Sequence, residues 1–247
     1  MRFNVIYMSA ASGRRAINED SILLCDTPFY EANLETPIQE EIIRDDCATF
    51  CACDGMGGHK NGEKASRVII ETIAALKPSD KDSLENAIKE ANKKLAEAIA
   101  IDNGLTNFGA TIAGALIKQK SALVFHCGDS RVYRFNGAYL ERLTRDYSFV
   151  QSLIDSGEID DETARLHPNR NVVTSALTGK EPLRFTISEF AWQKELELFI
   201  CSDGVWELFE IEELERLASE ADLTKLTLRL RQEANDNYSF IKVGAYE

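Results

Sequence analysis

The sequence predicts an α+β fold in which antiparallel β-sheets form the core and helices cover them. Three observations lead to this prediction. Short segments rich in β-branched and aromatic residues occur in groups, two amphipathic helices follow one another directly, and strands and helices do not alternate as they do in βαβ units. The 247 residues are 44% hydrophobic and contain no Pro/Gly/Ser-rich linker, so we expect a single domain over residues 1–247.

Seven segments have the composition of β-strands. Each is short and rich in Val, Ile, Phe, Tyr or Thr, and several are bounded by Gly or Asn. The predicted strands are 3–9, 48–53, 110–117, 121–127, 131–135, 195–201 and 238–243.

Helices are predicted where apolar residues recur every three or four positions. Segments 63–76 and 82–101 each have such a stripe, with Pro78 in the connection between them. Further helices are expected over 148–155, which ends at Gly157, and over 211–219 and 222–233.

Charge and cysteine content exclude several classes of function. The chain has 41 acidic and 28 basic residues, a net charge of −13, and no basic stripe that could neutralise phosphates, so nucleic-acid binding is not expected. The six cysteines form no CxxC pair and lie mostly in apolar segments, which favours reduced core thiols over zinc or disulfides. With no signal peptide or membrane-spanning stretch, we expect a cytoplasmic protein.

Five aspartates stand where predicted strands end or begin, each beside glycine or small polar residues. Isolated buried carboxylates are unfavourable, so such a set suggests that the fold gathers them around a strongly cationic group. Bound divalent metal ions would fill that role and would also attract an anionic substrate. The five are Asp20, Asp54, Asp129, Asp203 and Asp236.

The glycine-rich turn after the strand 48–53 is the first candidate ligand site. Its glycines let the backbone approach a ligand, so the Gly55 carbonyl could bind a metal beside the Asp54 carboxylate. Taken alone, the motif is equally compatible with an ordinary capped turn. Hard oxygen donors without His or Cys partners favour Mg²⁺ or Mn²⁺ over zinc.

Seven motifs, in this order and spacing, resemble the bacterial branch of the metal-dependent protein phosphatases (PPM), the type 2C serine/threonine phosphatases. The resemblance covers essentially the whole chain, and coincidence in seven ordered motifs is very improbable although each motif alone is weak. The motifs are RxxNED at 15–20, DGMGGHxxGExAS at 54–66, GAT at 109–111, GDSR at 128–131, LTRD at 143–146, SDG at 202–204 and DN at 236–237.

The resemblance implies a four-layer α-β-β-α sandwich, with two antiparallel sheets flanked by helix pairs and a binuclear Mn²⁺ or Mg²⁺ centre at one end. It implies that Asp54 bridges two metals, that Gly55 ligates one through its carbonyl, and that Glu19 holds a metal-bound water. Asp129 matches the position of a third, weaker metal shared with Asp203, and Arg15 matches the arginine that binds the substrate phosphate. The remaining implied ligands are Asp20, Asp203 and Asp236.

The implied activity is hydrolysis of phosphoserine and phosphothreonine by direct attack of a metal-bridging hydroxide, without a phosphoenzyme. Two divalent ions can lower the pKa of a shared water toward neutrality, and a guanidinium such as that of Arg15 can bind two phosphate oxygens and stay charged. The expected substrates are phosphorylated proteins in bacterial signalling opposite a serine/threonine kinase. We expect a monomer that requires neither nucleic acid nor a membrane.

The acid that protonates the leaving alkoxide is less defined. Eukaryotic family members have a histidine directly after the DG pair, where this chain has Met56, and the nearby histidine is His59. His59 is therefore a candidate catalytic acid. The alternatives are a metal-bound water as the acid, with a structural role for His59.

Two segments depart from or extend the common pattern. Residues 147–180 resemble the family's variable flap, a polar segment beside the active site that influences substrate choice, although a surface excursion without a specific role would look the same. Residues 26–46 are a long acidic excursion that could be an extended hairpin or a partner surface, and Tyr238 and Lys242 suggest an altered final strand. The alternatives to a protein phosphatase are a catalytically silent phosphoprotein-binding or regulatory module of the same fold, and a two-metal hydrolase of small phosphoesters or nucleotides.

Overall fold

The structure is a computed structural model and describes residues 1–56, 61–101, 108–136, 139–193 and 196–246. Its strands are β1 (Arg2–Ala10), β2 (Ser21–Leu24), β3 (Thr27–Tyr30), β4 (Ile38–Ile43), β5 (Cys47–Cys53), β6 (Gly55–Met56), β7 (Gly109–Ala110), β8 (Ile112–Lys118), β9 (Ser121–Cys127), β10 (Arg131–Asn136), β11 (Tyr139–Arg142), β12 (Thr186–Ala191), β13 (Glu197–Cys201) and β14 (Tyr238–Tyr246). Its helices are α1 (Gly62–Leu76), α2 (Lys81–Ile101), α3 (Phe149–Asp155), α4 (Asp161–Leu166), α5 (Asp203–Trp206), α6 (Ile211–Ala218) and α7 (Thr224–Glu233).

Two six-stranded antiparallel sheets pack face to face. The first has the strand order β11-β10-β13-β14-β1-β4, and the second has the order β12-β9-β8-β5-β2-β3. Alternate residues of both sheets point into the shared core, where the Phe3 and Phe50 rings lie 5.4 Å apart in an edge-on arrangement. The predicted α+β class is confirmed.

Helix pairs cover the outer faces of both sheets. On one side, Ile69, Ile73 and Ile88 of α1 and α2 pack on apolar residues of the second sheet. On the other side, Leu214 of α6 and Leu226 of α7 pack on the first sheet. The result is the α-β-β-α order of layers, and the helical stripes read from the sequence are the buried faces.

The predicted strand 110–117 is divided into β7 and β8, because the strand is interrupted at Thr111. The Thr111 amide donates to the Asp54 carbonyl at 2.9 Å, so residue 111 is tied to the DG turn. The preceding β7 pairs with β6 as a separate two-stranded ribbon, whereas β8 joins the second sheet. Strands β2, β3, β4, β6, β11 and β12 and helices α4 and α5 were not predicted.

The excursion 26–46 is not an extended hairpin. Strand β3 pairs with β2 at the edge of the second sheet, and β4 pairs with β1 at the edge of the first sheet, so the segment crosses between sheets. Strand β4 is largely exposed and contains Glu40 and Glu41. Charged residues on an edge strand disfavour pairing with other chains.

The unusual final strand is intact. Strand β14 pairs with both β1 and β13, and Tyr238 is buried in the core beneath α6 and α7. The Lys242 ammonium is also buried, donates to the Ala218 carbonyl at 3.0 Å and lies 3.3 Å from the Glu197 carboxylate. Lys242 therefore binds the C-terminal end of α6, where backbone carbonyls lack helical partners.

Candidate metal centre

The strand registers bring the aspartate-bearing segments to one end of the sandwich. In the second sheet, Ser21 at the start of β2 pairs with Cys53 at the end of β5. Asp20, just before β2, and Asp54, just after β5, therefore lie at neighbouring strand ends. In the first sheet, Cys201 lies opposite both Arg131 and Phe240, so the residues just beyond these strand ends are also neighbours. The latter residues include Asp129, Asp203 and Asp236.

A hydrogen bond between the two sheets joins these groups. The Ser202 hydroxyl donates to Asp20 Oδ2 at 2.7 Å, and the Ser239 amide donates to the same Ser202 hydroxyl at 3.0 Å. Asp20 is only 1% exposed, yet its Oδ1 has no hydrogen-bond partner among the described residues. A buried carboxylate oxygen without a donor is a costly feature unless another group binds it.

Burial, together with the charges of neighbouring carboxylates, raises the pKa of four of these carboxyl groups, those of Asp20, Asp54, Asp129 and Asp203. Burial raises the pKa of Asp20 to about 6, although the hydrogen bond from the Ser202 hydroxyl acts in the opposite direction. The pKa of Asp54 is raised well above its usual range, first by burial and then by Asp203, Asp20 and other carboxylates of the cluster. Asp54 and Asp203 nevertheless keep partly exposed surfaces, so the cluster is reachable from solvent. The arrangement is unfavourable without cations and would attract them.

The backbone of Asp129 is held by a network of an aromatic and a cationic side chain, Trp206 and Arg131. The Trp206 indole N–H donates to the Asp129 carbonyl at 2.9 Å, and the Arg131 guanidinium stacks on the Trp206 ring. Arg131 also donates to both carboxylate oxygens of Asp146, the shortest contact being 2.7 Å. Burial, followed by the Asp146 charge, raises the pKa of Asp129 to about 7. Because Trp206 ends the helix that begins at Asp203, this network connects the two aspartates expected to share a third metal.

Glu207 is a further acidic residue of this cluster that the sequence did not single out. Burial raises its pKa, which the charges of Arg170 and Arg131 oppose, and its charge in turn raises the pKa of Asp203 and Asp129. A signal for it exists in the sequence, because Glu207 follows Asp203 by four residues. That spacing puts two side chains on one face of a helical turn.

Arg15 lies at the edge of the cluster. Its guanidinium is 2.5 Å from Asp236 Oδ2 and 3.9 Å from the Glu19 carboxylate, and its side chain is 44% exposed. These two carboxylates hold the cationic group beside the aspartates while leaving part of it open to solvent. Such a group can contact a phosphate that approaches from outside.

The backbone around Gly55 is packed too closely for any other residue. The Gly55 amide donates to the Glu19 carbonyl at 3.2 Å, and the Gly62 amide donates to Glu19 Oε1 at 3.2 Å. A Cβ atom at position 55 would lie 2.1 Å from the Gly62 carbonyl oxygen. Glycine is therefore required for Glu19, Gly55 and the start of α1 to approach one another.

Three further observations concern the surroundings of the site and the chain as a whole. His59 lies outside the described residues, which resume at Asn61. An open groove of about 890 Å³ lies between α1, α2 and residues 179–181, and none of the five aspartates lines it. No helix in the described part of the chain combines the length and the apolar composition that a bilayer crossing needs.

Comparison with known proteins identifies the family. Residues 41–238 match the family described as Protein phosphatase 2C. The chain belongs to this family. It is 33% identical over 157 residues to the serine/threonine protein phosphatase PstP of Mycobacterium tuberculosis, a match that covers 62% of this chain and 30% of PstP. It is 30% identical over 183 residues to the serine/threonine phosphatase Stp of Listeria monocytogenes, which covers 70% of this chain and 73% of Stp.

Solved structures agree with this assignment. The crystal structure of M. tuberculosis PstP superposes with a TM-score of 0.83 at 26% identity and covers 100% of both chains. A structure of the PstP catalytic domain in complex with two manganese ions superposes with a TM-score of 0.79 at 25% identity, covering 99% of this chain and 100% of that one. The predicted four-layer sandwich and the resemblance to bacterial type 2C phosphatases are thereby confirmed.

Phosphatases of the 2C family are metal dependent, and the residues of this chain fit such ions. The donors are carboxylate oxygens, as Mg²⁺ and Mn²⁺ prefer, and the unpartnered Asp20 Oδ1 offers an oxygen with no competing bond. Among the described residues, no group of three or more His, Cys, Asp or Glu side chains is placed closely enough to hold a metal ion. The fit to a cation therefore rests on the oxygen donors and on the burial that raises the pKa of Asp20, Asp54, Asp129 and Asp203.

Proposed function

We propose that this chain is a metal-dependent phosphatase that hydrolyses phosphoserine and phosphothreonine in proteins. The main support is the convergence of four desolvated aspartates, Asp20, Asp54, Asp129 and Asp203, with the more exposed Asp236, which is paired with the partly exposed guanidinium of Arg15. Family membership supports the same reaction, because the relatives named above are serine/threonine phosphatases.

The proposed cofactors are two Mn²⁺ or Mg²⁺ ions, with a third at a weaker position. Asp54 and the Gly55 carbonyl are the proposed central ligands, and Asp129 with Asp203 would hold the third ion. Glu207 adds negative charge beside Asp129 and Asp203. The other proposed ligands are Asp20, Asp236 and Glu19.

When bound, the ions supply an activated water at neutral pH and neutralise charge on the phosphoryl group. The protein binds and orients the phosphate through Arg15, whose planar guanidinium can donate to two oxygens at once. Because Asp236 and Glu19 both contact Arg15, they hold its guanidinium toward the metal centre. His59 remains the candidate proton donor to the leaving oxygen.

Residues 147–180 are the proposed substrate flap. Helix α4 packs against the segment that follows α5, the helix that begins at the proposed ligand Asp203. Arg165 of α4 donates to the Phe209 carbonyl at 3.0 Å and lies 3.2 Å from the Glu210 carboxylate. The adjacent Leu166 is 82% exposed, which leaves an apolar side chain available to a peptide. We infer that phosphorylated proteins contact this segment, and that the enzyme works as a cytoplasmic monomer opposite a serine/threonine kinase.

The test is hydrolysis of p-nitrophenyl phosphate and of a phosphothreonine peptide by the purified protein with Mn²⁺, with Mg²⁺ and with EDTA. We expect metal-dependent turnover of both substrates, and loss of at least ~10³-fold in kcat in Asp203→Asn. Asp222→Asn, an exposed substitution in the loop before α7, is the matched control and should leave turnover unchanged. A folded wild-type protein that binds the phosphopeptide with metal but hydrolyses neither substrate would replace the enzyme with the silent binding module.

A further inference from the structure

One buried amide joins helix α2 to the end of the flap. Asn92 is 2% exposed. Its Oδ1 accepts hydrogen bonds from the amides of Thr178 at 3.1 Å and Gly179 at 2.8 Å. Its Nδ2 donates to the Lys180 carbonyl at 3.0 Å and to Glu181 Oε1 at 3.3 Å. Both ends of the side chain therefore bind one short segment, residues 178–181, and the amide has no unused hydrogen-bonding group.

The held segment is continuous with the backbone of the proposed metal centre. Leu177 exchanges two hydrogen bonds with Ala110, at 2.9 and 3.0 Å. Ala110 pairs in turn with Gly55, and the next amide, that of Thr111, donates to the Asp54 carbonyl at 2.9 Å. A ladder of backbone hydrogen bonds thus leads from the end of the flap to the two central ligands.

Residues 178–181 also pack tightly against α2. Gly179 has a φ of +72°, and a Cβ atom there would lie 2.6 Å from the backbone nitrogen of Ala96, one helical turn beyond Asn92. A side chain shorter than asparagine at position 92 would leave the buried amides of Thr178 and Gly179 without their acceptor. Unpaired buried amides are unfavourable, so the segment would shift to restore its hydrogen bonds.

We propose that Asn92 is a positioning residue that fixes the C-terminal end of the flap, residues 177–181, and thereby sets how the enzyme binds phosphoprotein substrates. The proposal rests on the function proposed above, because it assigns the residues 147–180 a role in substrate contact. Asn92 touches none of the proposed ligands directly and acts through Leu177 and β7.

The two substrate types should respond differently to loss of this clamp. A phosphopeptide extends from the metal centre across the flap, whereas p-nitrophenyl phosphate occupies the centre alone. In Asn92→Ala we expect kcat/KM for the phosphopeptide to fall by about tenfold, mostly through KM, and kcat/KM for p-nitrophenyl phosphate to change by less than about threefold. Asn86→Ala is the matched control, since Asn86 is exposed on the same helix and should leave both values unchanged.

Amide hydrogen exchange tests the clamp independently of activity. Asn92→Ala should speed exchange at Thr178 and Gly179 by about tenfold or more, with a smaller effect at Leu177 and Ala110. Asn92→Asp keeps the acceptor for the two amides and loses the donor to the Lys180 carbonyl and to the Glu181 carboxylate, so it should retain protection at 178 and 179. If the alanine variant does not fold, Asn92→Asp replaces it in the kinetic comparison. The expected result is then a changed ratio of kcat/KM for the phosphopeptide to kcat/KM for p-nitrophenyl phosphate.

The outcomes separate the two proposals. Faster exchange together with a selective loss on the peptide supports the positioning role. Exchange equal to that of Asn86→Ala, or faster exchange with an unchanged ratio of peptide to p-nitrophenyl phosphate activity, would overturn it. A wild-type protein without metal-dependent turnover would instead overturn the proposed function, and the exchange data would still show whether Asn92 holds the segment.

Discussion

Replacing Asp20 with asparagine should stabilise the metal-free protein while abolishing metal binding. The Asp20 carboxylate is almost fully buried, and its Oδ1 has no partner among the described residues. Asparagine has nearly the same shape and no charge. Its carbonyl can still accept the hydrogen bond from Ser202, and its amide can donate to Asp54, which lies within hydrogen-bonding reach.

The magnitude follows from the pKa of the buried carboxyl. Burial raises the pKa of Asp20 from 3.8 to about 6, so keeping it charged in the metal-free fold costs about 3 kcal/mol. The folded pKa lies above the unfolded one, so between these two values the folded protein binds a proton that the unfolded chain has released. The free energy of unfolding of the wild type therefore falls as the pH rises through this window, and the loss is complete above it.

Urea unfolding in EDTA at several pH values measures the effect. At pH near 7.5 we expect Asp20→Asn to be more stable than the wild type by about 2–3 kcal/mol, with the difference shrinking toward zero as the pH falls to about 4. Asp45→Asn, at an exposed position, is the control and should change stability by less than about 0.5 kcal/mol. Added Mn²⁺ should stabilise the wild type and not Asp20→Asn. An Asp20→Asn protein that is no more stable than the wild type in EDTA at neutral pH would refute the reasoning.

Three further predictions concern the neighbouring residues. Arg15→Lys keeps the charge but loses the planar guanidinium that can donate to two phosphate oxygens, so kcat/KM for p-nitrophenyl phosphate should fall by about tenfold or more. Steady-state kinetics with no change would show that Arg15 does not bind the phosphate. Trp206→Phe removes the donor to the Asp129 carbonyl, so the Mn²⁺ concentration for half-maximal binding, measured by calorimetry, should rise several-fold. Trp192→Phe should leave that concentration unchanged, because its indole nitrogen has no partner among the described residues, and equal effects of the two variants would contradict the assignment. Lys242→Ala should lower the free energy of unfolding by about 2 kcal/mol, because it leaves the Ala218 carbonyl unpaired, and a loss below about 0.5 kcal/mol in urea would show that this cap is dispensable.

Local sequence patterns predicted most of the helices and central strands. A stripe repeating every three or four residues requires a helix with one buried face, which is how 63–76 and 82–101 were identified. The strands missed by the sequence analysis are mainly edge or short strands, such as β4 with its exposed Glu40 and Glu41. The residues of β4 are mostly polar because they meet solvent, so composition gives little indication of the partner strand, whereas β2 is buried throughout but only four residues long.

The candidate aspartate ligands were also visible in the sequence, because an aspartate beside glycine or small polar residues at a strand end is a local pattern. Glu207 was missed although its spacing from Asp203 was readable, since its importance depends on the neighbours that the fold brings to it. Lys242 could not be interpreted either, because its partner Ala218 lies on another element.

The sequence by itself determined the chemical character of the protein: its hard oxygen donors, the arginine proposed to bind phosphate and its alternating buried segments are all set by residue type and spacing. The tertiary structure alone decided which strand ends meet, which carboxyl groups are buried, and that the side-chain amide of Asn92 on α2 binds residues 178–181. Desolvation and long-range hydrogen bonds depend on residues far apart in the chain, and only the packing of the two sheets and their helices fixes those distances.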